Sequence, residues 1–335
     1  MEWSVDREYK MTDIRNGKFI DLFAGMGGFR RAVEPFGLKC VYSSEWDADA
    51  QQTYRDNFRE TPDGDITKVD EKDIPAHNVL CAGFPCQAFS VSGKQSGFAD
   101  ARGTLFFDVA RIARHHQPEV LFMENVRNLA AHDEGRTLKT ITGILDETGY
   151  HAHHKVLNSS LYGVPTTRER IYFVCFRKDL GLSKFRFPSE TLDRVSVSDM
   201  LLPDADTSDF VVKCKDAKIG KTVEEDLFGD YPRKPVQIGK IGKGRQGERI
   251  YSPMAHAITF MAYGGGIAAK TGAYLINGRI RRLAPRECAR IMGFPDEHVL
   301  PSSNQQAWKQ IGNSVVVTVL KQIFAKVVEA LEGKQ

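Results

Sequence analysis

The sequence predicts an α/β protein with a doubly wound, mostly parallel sheet and a smaller, mostly β, basic domain inserted before the C-terminal helices. Short apolar runs typical of buried strands alternate with amphipathic helical patterns over the first half of the chain. Beyond about residue 177 the regular helices disappear and turn residues become frequent, and helical periodicity resumes near residue 285. We therefore expect a first domain at 15–195, an inserted domain at 196–283 and a return segment at 284–335.

The composition is that of an ordinary globular chain, with 335 residues, 41% hydrophobic, 27% charged and a net charge of +3. No apolar run approaches the roughly 18 residues needed to span a membrane, and residues 1–10 do not resemble a signal peptide. The cysteines have no zinc-site spacing. They are Cys40, Cys81, Cys86, Cys175, Cys214 and Cys288. We expect a cytoplasmic protein with free thiols, no metal and no membrane association.

The first predicted strand, 18–24, leads into a glycine turn and then a helix at 29–36. This order is typical of a cradle for a nucleotide cofactor, because glycines let the backbone approach the ligand closely. A tight turn without a ligand would have the same sequence. The candidate cradle residues are Phe23, Ala24, Gly25, Gly27 and Gly28.

The second predicted strand, 40–44, ends in Glu45 and Trp46. An acid at this place binds ribose hydroxyls in such folds, and a tryptophan can stack on adenine, although core packing is its commoner role. Asp47 is the predicted N-cap of a helix that runs to about residue 58. Asp65, which precedes Ile66, suits either an adenine amino group or a cap of the next turn.

A third apolar run, Val79–Ala82, is broken by Gly83 and Pro85, so Cys86 is expected at the carboxyl end of a strand. Open α/β sheets bind their ligands at this edge. Cys86 is therefore a candidate nucleophile, while the alternative is a small buried hydrophobic residue. A polar, glycine-containing loop follows at 87–102.

The rest of the first domain continues the alternation, and a strand at 120–123 ends in Glu124. Predicted helices cover 103–117, 136–148, 285–291 and 315–331, and further strands cover 150–157 and 171–176. The last helix is apolar and needs a sheet to cover.

Between residues 231 and 286 the only acid is Glu248, and glycines are frequent. The bases there are Arg233, Lys234, Lys240, Lys243, Arg245, Arg249, Lys270, Arg279, Arg281, Arg282 and Arg286. A solvated basic face is the usual meaning of a charge run. A stretch this long with one acid favours a nucleic-acid surface instead.

Five segments in this order resemble the DNA cytosine-5 methyltransferases, particularly those of bacterial restriction–modification systems. They are FIDLFAGMGG at 19–28, GFPCQ at 83–87, ENV at 124–126, RER at 168–170 and QIGNS at 310–314. The likeness covers nearly the whole chain and includes GRQGERIY at 244–251. It implies the fold of S-adenosylmethionine-dependent methyltransferases, this cofactor, and cytosine in a GCGC-like site of double-stranded DNA.

The resemblance also assigns roles to residues. Cys86 is the nucleophile that adds to carbon 6 of cytosine, Glu124 the acid at N3, Arg170 the arginine that holds base and acid, and Arg168 its neighbour. For Arg168, a phosphate contact or a structural role remains an alternative. The implied cofactor residues are Phe23, Ala24, Gly25, Gly27, Gly28, Glu45, Trp46, Asp65, Ile66, Pro85 and Asn313. The implied DNA-binding residues are Ser90, Ser92, Lys94, Arg245, Gln246, Arg249 and Tyr263.

Because a cytosine within a duplex cannot present its ring to Cys86, the nucleotide is expected to flip out of the stack. By resemblance, Ser92 and Gln246 enter the vacated space. A monomer is expected, with a cognate restriction endonuclease acting on the same site but forming no stable complex.

Three other functions share parts of these patterns. An RNA cytosine-5 methyltransferase would share every catalytic segment, but the long basic insertion favours DNA. A non-catalytic DNA-binding regulator would need neither Cys86 nor Glu124. A nicotinamide oxidoreductase would use the glycine turn but would leave the Pro-Cys loop without a role.

Overall fold

A computed structural model describes residues 14–85, 105–191, 193–220, 232–264 and 266–333. Its strands are β1 (Lys18–Leu22), β2 (Lys39–Ser44), β3 (Val79–Ala82), β4 (Val120–Val126), β5 (Tyr150–Asn158), β6 (Glu169–Arg177), β7 (Ala217–Ile219), β8 (Gln237–Ile241), β9 (Arg249–Tyr251), β10 (Ala273–Ile276) and β11 (Arg279–Arg282). Its α-helices are α1 (Gly28–Val33), α2 (Ala48–Phe58), α3 (Phe106–His116), α4 (Arg136–Glu147), α5 (Pro285–Ile291), α6 (Asn304–Asn313) and α7 (Val317–Leu331).

The larger sheet has six strands in the order β2-β1-β3-β4-β6-β5. The first four are parallel, whereas β6 runs antiparallel to both β4 and β5. This confirms the predicted α/β fold with a mostly parallel sheet. It also places the carboxyl ends of β1 to β4 at one edge, which is where such sheets bind ligands.

Helices cover both faces of this sheet. On one face, Phe19 and Phe122 belong to a core that includes Phe324 and other residues of α7. On the other face, Leu80 and its neighbours pack with α3 and α4. The prediction that the apolar last helix covers a sheet is therefore confirmed, and the sheet needs the end of the chain to complete its core.

The second sheet has five strands in the order β11-β10-β9-β8-β7 and a small core of its own. It contains both parallel and antiparallel pairs, since β10 runs parallel to β9 and antiparallel to β11. A bridge between Thr166 and Ala257 joins the segment between β9 and β10 to the chain just before β6. Tyr251 and Tyr274 belong to the larger core, so the two sheets share packed side chains.

Helix α6 was not predicted, since the last predicted helix covers only 315–331. The helix begins after Ser303, and Ala307, Trp308 and Ile311 form its buried face. The following helix begins at Val317 rather than 315. Among the described residues, no helix is both long and apolar enough to cross a membrane.

Candidate active site

A cavity of about 1640 Å³ lies at the carboxyl edge of β1 to β4. Most of the predicted site residues that the structure describes line it. They are Phe23, Ala24, Gly25, Gly28, Glu45, Trp46, Asp65, Ile66, Pro85, Glu124, Arg168, Arg170, Tyr263 and Asn313. The fold therefore brings together segments that are up to about 290 residues apart in the sequence.

The glycine turn after β1 has two functions. Gly25 has a φ of 56°, and a Cβ built on it would have no atom within 4 Å, so this backbone faces open space. Gly27, which is absent from the cavity lining, has a φ of 87°, and its Cβ would lie 2.2 Å from Phe58. Gly27 thus allows the turn to pack on α2, whereas Gly25 leaves the room that a ligand needs.

Glu45 holds the same turn from the end of β2. Its Oε2 accepts a hydrogen bond from Gly25 N at 2.8 Å, and its Oε1 accepts one from Asp47 N at 2.8 Å. Trp46 is 80% exposed, so the core-packing alternative is wrong for this residue. Its ring is available for stacking at the cavity wall.

Asp65 acts as a cap, which was one of the two predicted alternatives. Its Oδ1 accepts from Thr67 N at 3.1 Å and from Thr67 Oγ1 at 2.8 Å. Ile66, the first residue of this short helix, is buried and adds an apolar wall to the cavity.

The turn that precedes Cys86 is fixed to β4. Asn125 is buried and donates from Nδ2 to the Phe84 carbonyl oxygen at 2.8 Å. In the sequence, Asn125 appears only as part of the Glu-Asn-Val motif at 124–126. Its contact with Phe84 depends on the pairing of β3 with β4, which the local sequence does not indicate. Cys86, Ser90, Ser92 and Lys94 lie outside the described residues, as does the side chain of Gln246.

Glu124 and Arg170 form a buried pair on two antiparallel strands. Arg170 lies opposite Val126, two residues from Glu124, and its Nε is 3.0 Å from Glu124 Oε1. That oxygen has no well-aligned hydrogen bond, and Glu124 is only 8% exposed. Burial raises the pKa of Glu124, although Arg170 and Arg168 partly oppose this effect. The carboxyl group therefore retains its proton to a higher pH than that of an exposed glutamate.

Arg168 is 2% exposed and binds backbone carbonyls. Its Nη2 donates to Ser314 O at 2.7 Å and Gly312 O at 3.1 Å, and its Nη1 donates to Phe260 O at 3.3 Å. Burial and the neighbouring Arg170 lower the pKa of Arg168 to about 10. These contacts favour the structural alternative, in which Arg168 joins the second sheet region to the end of α6.

An ion pair that the sequence did not predict lies at the cavity mouth. Lys309 Nζ of α6 is 2.7 Å from Asp47 Oδ2, and both side chains are about a quarter exposed. Asp47 is also the N-cap of α2, as predicted, because its side chain accepts from Asp49 N and Ala50 N. The pair fixes α6 beside Glu45 and Trp46.

The basic stretch divides into internal and exposed residues. Arg281 is buried, and its Nη2 lies 2.7 Å from Glu287 Oε1. The guanidinium carbon of Arg282 lies 4.3 Å from the centre of the Trp308 ring. Arg286 Nη2 donates to His298 O at 2.7 Å. Arg281 is therefore excluded from the predicted nucleic-acid surface, whereas Arg282 and Arg286 are half-buried and make contacts within the protein. The exposed bases are Lys234, Lys240, Lys243, Arg245, Arg249 and Arg279. Tyr263, 72% exposed, stands at the mouth of the cavity.

Within the described ranges, no group of three or more histidine, cysteine, aspartate or glutamate residues could hold a metal ion.

Comparison with known proteins identifies relatives over almost the whole chain. The family model described as C-5 cytosine-specific DNA methylase matches residues 17–329. The Type II methyltransferase M.HhaI of Haemophilus parahaemolyticus is 53% identical over 327 residues, covering 98% of this chain and 99% of that protein. M.HpaII of Haemophilus parainfluenzae is 42% identical over 93% of this chain and 89% of that protein. The crystal structure of S. pombe Dnmt2 methyltransferase has a TM-score of 0.70 at 19% identity, covering 94% of this chain and 99% of that chain.

Proposed function

Because the chain belongs to the C-5 cytosine-specific DNA methylase family and is an S-adenosylmethionine-dependent DNA cytosine-5 methyltransferase of the restriction–modification type, we propose that it methylates a flipped-out cytosine through a covalent adduct with Cys86. The proposed target is the inner cytosine of a GCGC-like duplex site. The observation that carries the proposal is the buried Glu124–Arg170 pair, which faces the cavity beside the Pro85 turn.

The cavity suits S-adenosylmethionine, which supplies an electrophilic methyl group when bound. Open space beside Gly25 lets a ligand approach the backbone closely. The Glu45 carboxylate suits ribose hydroxyls, and the exposed ring of Trp46 suits stacking on adenine. Asp65 and Ile66 would form the other wall, and Ala24, Phe23, Pro85 and Asn313 would surround the remainder.

Cys86 would begin the reaction, because carbon 5 of cytosine is a poor nucleophile. A bond from the Cys86 thiolate to carbon 6 makes the ring an enamine, so carbon 5 can attack the methyl group. A base such as water would then remove the carbon 5 proton, the electron pair of that bond would re-form the carbon 5–carbon 6 double bond, and Cys86 would leave as the thiolate.

Glu124 would supply a proton at N3 during the attack. Electron density moves onto the ring when the thiolate adds, and a carboxyl proton at N3 offsets this charge. The raised pKa of Glu124 supports this role, since the carboxyl group retains its proton at higher pH than an exposed glutamate. Arg170 would hold the Glu124 carboxyl group and the base in position relative to each other. Arg168 would support this arrangement through its hydrogen bonds to backbone carbonyls at Gly312 and Ser314.

We propose that residues 196–283 recognise the target and that 15–195 and 284–335 form the catalytic domain. Ser92 and Gln246 would occupy the space left by the flipped cytosine, with Gln246 pairing with the orphaned guanine. Tyr263 is exposed and lines the cavity, and Arg249 is exposed on β9, so both suit base or backbone contacts. Ser90 and Lys94 would act from the 87–102 loop. The backbone nitrogen of Arg245 donates to Glu248 Oε2 at 2.9 Å, and its exposed side chain suits a phosphate contact.

We also propose a monomer that works in the cytoplasm and protects DNA from a cognate endonuclease without forming a stable complex with it. Tyr251 and Tyr274 of the second sheet belong to the larger core, and this packing of the two regions within one chain supports the monomer.

Bisulfite sequencing of plasmid DNA from expressing cells tests the proposal. The parent should protect the inner cytosine of GCGC sites, whereas Cys86→Ser should protect none and retain cofactor binding. Cys214→Ser is a matched control, because Cys214 is a partly exposed free cysteine outside the cavity lining. Methylation by Cys86→Ser, or transfer only to RNA, would overturn the proposal.

A further inference from the structure

One wall of the cavity comes from a segment with little regular structure of its own. Residues 59–78 connect α2 with β3, and the structure describes all of them as turns, one bridge and two short 3-10 helices, Ile66–Lys68 and Glu71–Asp73. The bridge at Asp63 ties the start of the segment to the end of β2. Ile66 is buried and lines the cavity, so contacts from neighbouring elements must fix its position.

Arg111 of α3 fixes the wall at Ile66. Its Nη2 donates to Ile66 O at 2.7 Å, and its Nη1 donates to Glu71 Oε2 at 2.8 Å. Its Nε donates to Asp108 Oδ1, one turn earlier on α3, at 2.9 Å, and this bond orients the guanidinium. The side chain of Arg111 lines the cavity and is 26% exposed. A guanidinium suits this place because its planar set of donors can bind three acceptors at once.

The charge of Arg111 also offsets repulsion between α3 and the segment. Residues 60–73 contain six acids and only two bases, Lys68 and Lys72. The carboxylates of Glu71 and Asp108 both bind the Arg111 guanidinium, one from the segment and one from α3. Without that cation, two like charges would face each other and favour displacement of the segment from α3.

We propose that Arg111 is a positioning residue for S-adenosylmethionine, because it holds the Ile66 wall where the cofactor binds. This role rests on the proposed function, since it takes the cavity beside Ile66 as the cofactor pocket. Arg111 acts through Ile66 and Glu71 and does not contact the reacting atoms. When the wall is displaced, only a fraction of the molecules has a complete pocket, and the apparent dissociation constant of the cofactor rises by the inverse of that fraction.

Titration calorimetry with S-adenosylmethionine, without DNA, compares the parent with Arg111→Met and Arg111→Lys. Loss of a hydrogen bond from a charged donor corresponds to about 10- to 100-fold in an equilibrium constant, and Arg111→Met should weaken cofactor binding by this factor. Arg111→Lys should have an intermediate affinity, because its ammonium keeps the charge but lacks the planar fork. In methyl transfer, KM for the cofactor should rise, while kcat at saturating cofactor and KM for DNA should stay close to the parent values.

Arg290→Met is the matched control. The side chain of Arg290 is 28% exposed and pairs with Asp296, and its Nη1 lies 3.4 Å from the carbonyl oxygens of Met200 and Leu201. Arg290 is absent from the cavity lining. This control should lose stability in urea unfolding but bind the cofactor as the parent does.

Hydrogen exchange of the cofactor-free protein measures the wall directly. Val69 N donates to Ile66 O at 3.2 Å, so exchange of this amide reports on the turn that Arg111 holds. The amide should exchange faster in Arg111→Met than in the parent, and at the parent rate in Arg290→Met.

Trp46→Ala separates the positioning role from the proposed function, because Trp46 is exposed and belongs to the wall at the end of β2. If Trp46→Ala weakens cofactor binding and Arg111→Met does not, the positioning role alone is overturned. If neither variant weakens binding, the proposed pocket is overturned, and the positioning role with it. Equal weakening by Arg111→Met and Arg290→Met, or a fall in kcat with unchanged cofactor affinity in Arg111→Met, also overturns the positioning role.

Discussion

Replacing Glu124 by glutamine tests the central chemical step. The change keeps the shape of the side chain beside Arg170 Nε, which is 3.0 Å away, and removes the transferable proton. An amide can donate a hydrogen bond to N3 of cytosine but cannot deliver a proton there. General acid catalysis contributes about 10²- to 10⁴-fold to a rate, which corresponds to about 3–5 kcal/mol. We expect kcat to fall by this factor with little change in cofactor affinity.

The assay is transfer of a radiolabelled methyl group in a single turnover, followed against pH. Because burial raises the pKa of Glu124, the parent rate should decline at high pH as the carboxyl group ionises, through a value above that of an exposed glutamate. The glutamine variant cannot ionise and should lack this decline. A variant with the parent rate, or one with the same high-pH decline, would refute the proton-donor role.

Stability provides an independent measurement of the same pKa. The folded chain has the higher pKa at Glu124, so between the unfolded and folded values it binds more protons than the unfolded chain. The contribution of Glu124 to the free energy of unfolding is therefore largest below the unfolded pKa and decreases as pH rises through the folded pKa. The glutamine variant should lose less stability than the parent over this interval in urea unfolding.

Two further predictions concern the frame of the site. Arg168→Met should lower the free energy of unfolding by about 2–5 kcal/mol, because buried carbonyls lose a charged donor. It should also raise KM for DNA more than it lowers cofactor affinity. Unchanged urea unfolding would contradict the structural role of Arg168. Gly27→Ala should cost about 2–5 kcal/mol through positive φ and the contact with Phe58. Gly143→Ala is its control, because Gly143 lies in α4 and a Cβ built on it would have no atom within 4 Å. This variant should gain about 0.5–1 kcal/mol in the free energy of unfolding. Similar melting temperatures for the two variants would contradict the reasoning.

Much of the first domain could be predicted because its signals are local. The apolar run at Val79–Ala82, the cap at Asp47 and the helix at Pro285–Ile291 each appear in the structure as the sequence indicates. The directions of β5 and β6 could not be predicted in this way, because an apolar run is compatible with either direction in a sheet. Helix α6 was not predicted, because the predicted last helix begins only at residue 315.

The site was predictable to the extent that residue type determines its chemistry. Glu124 and Arg170 were paired through their motifs, and they lie together because β4 and β6 are neighbours. Arg168 could not be placed, because its partners are backbone carbonyls at residues 260, 312 and 314, which carry no sequence signal. The contacts that Arg281, Arg282 and Arg286 make within the protein could not be predicted for the same reason, since charge alone does not indicate a side chain's partners.

The packing of α7 against the first strands also determines when the protein can fold during synthesis. Phe19 in β1 and Phe324 in α7 share one core, although nearly the whole chain separates them. At a translation rate of about 5–20 residues per second, α7 is synthesised on the order of tens of seconds after Phe19. Until then α7 cannot cover the apolar face around Phe19. During this time the apolar face lacks its native cover, and partly folded chains with such exposed surface are prone to aggregation. The second sheet, with its own small core around Ile250, is made within that interval and can assemble before the first sheet is closed.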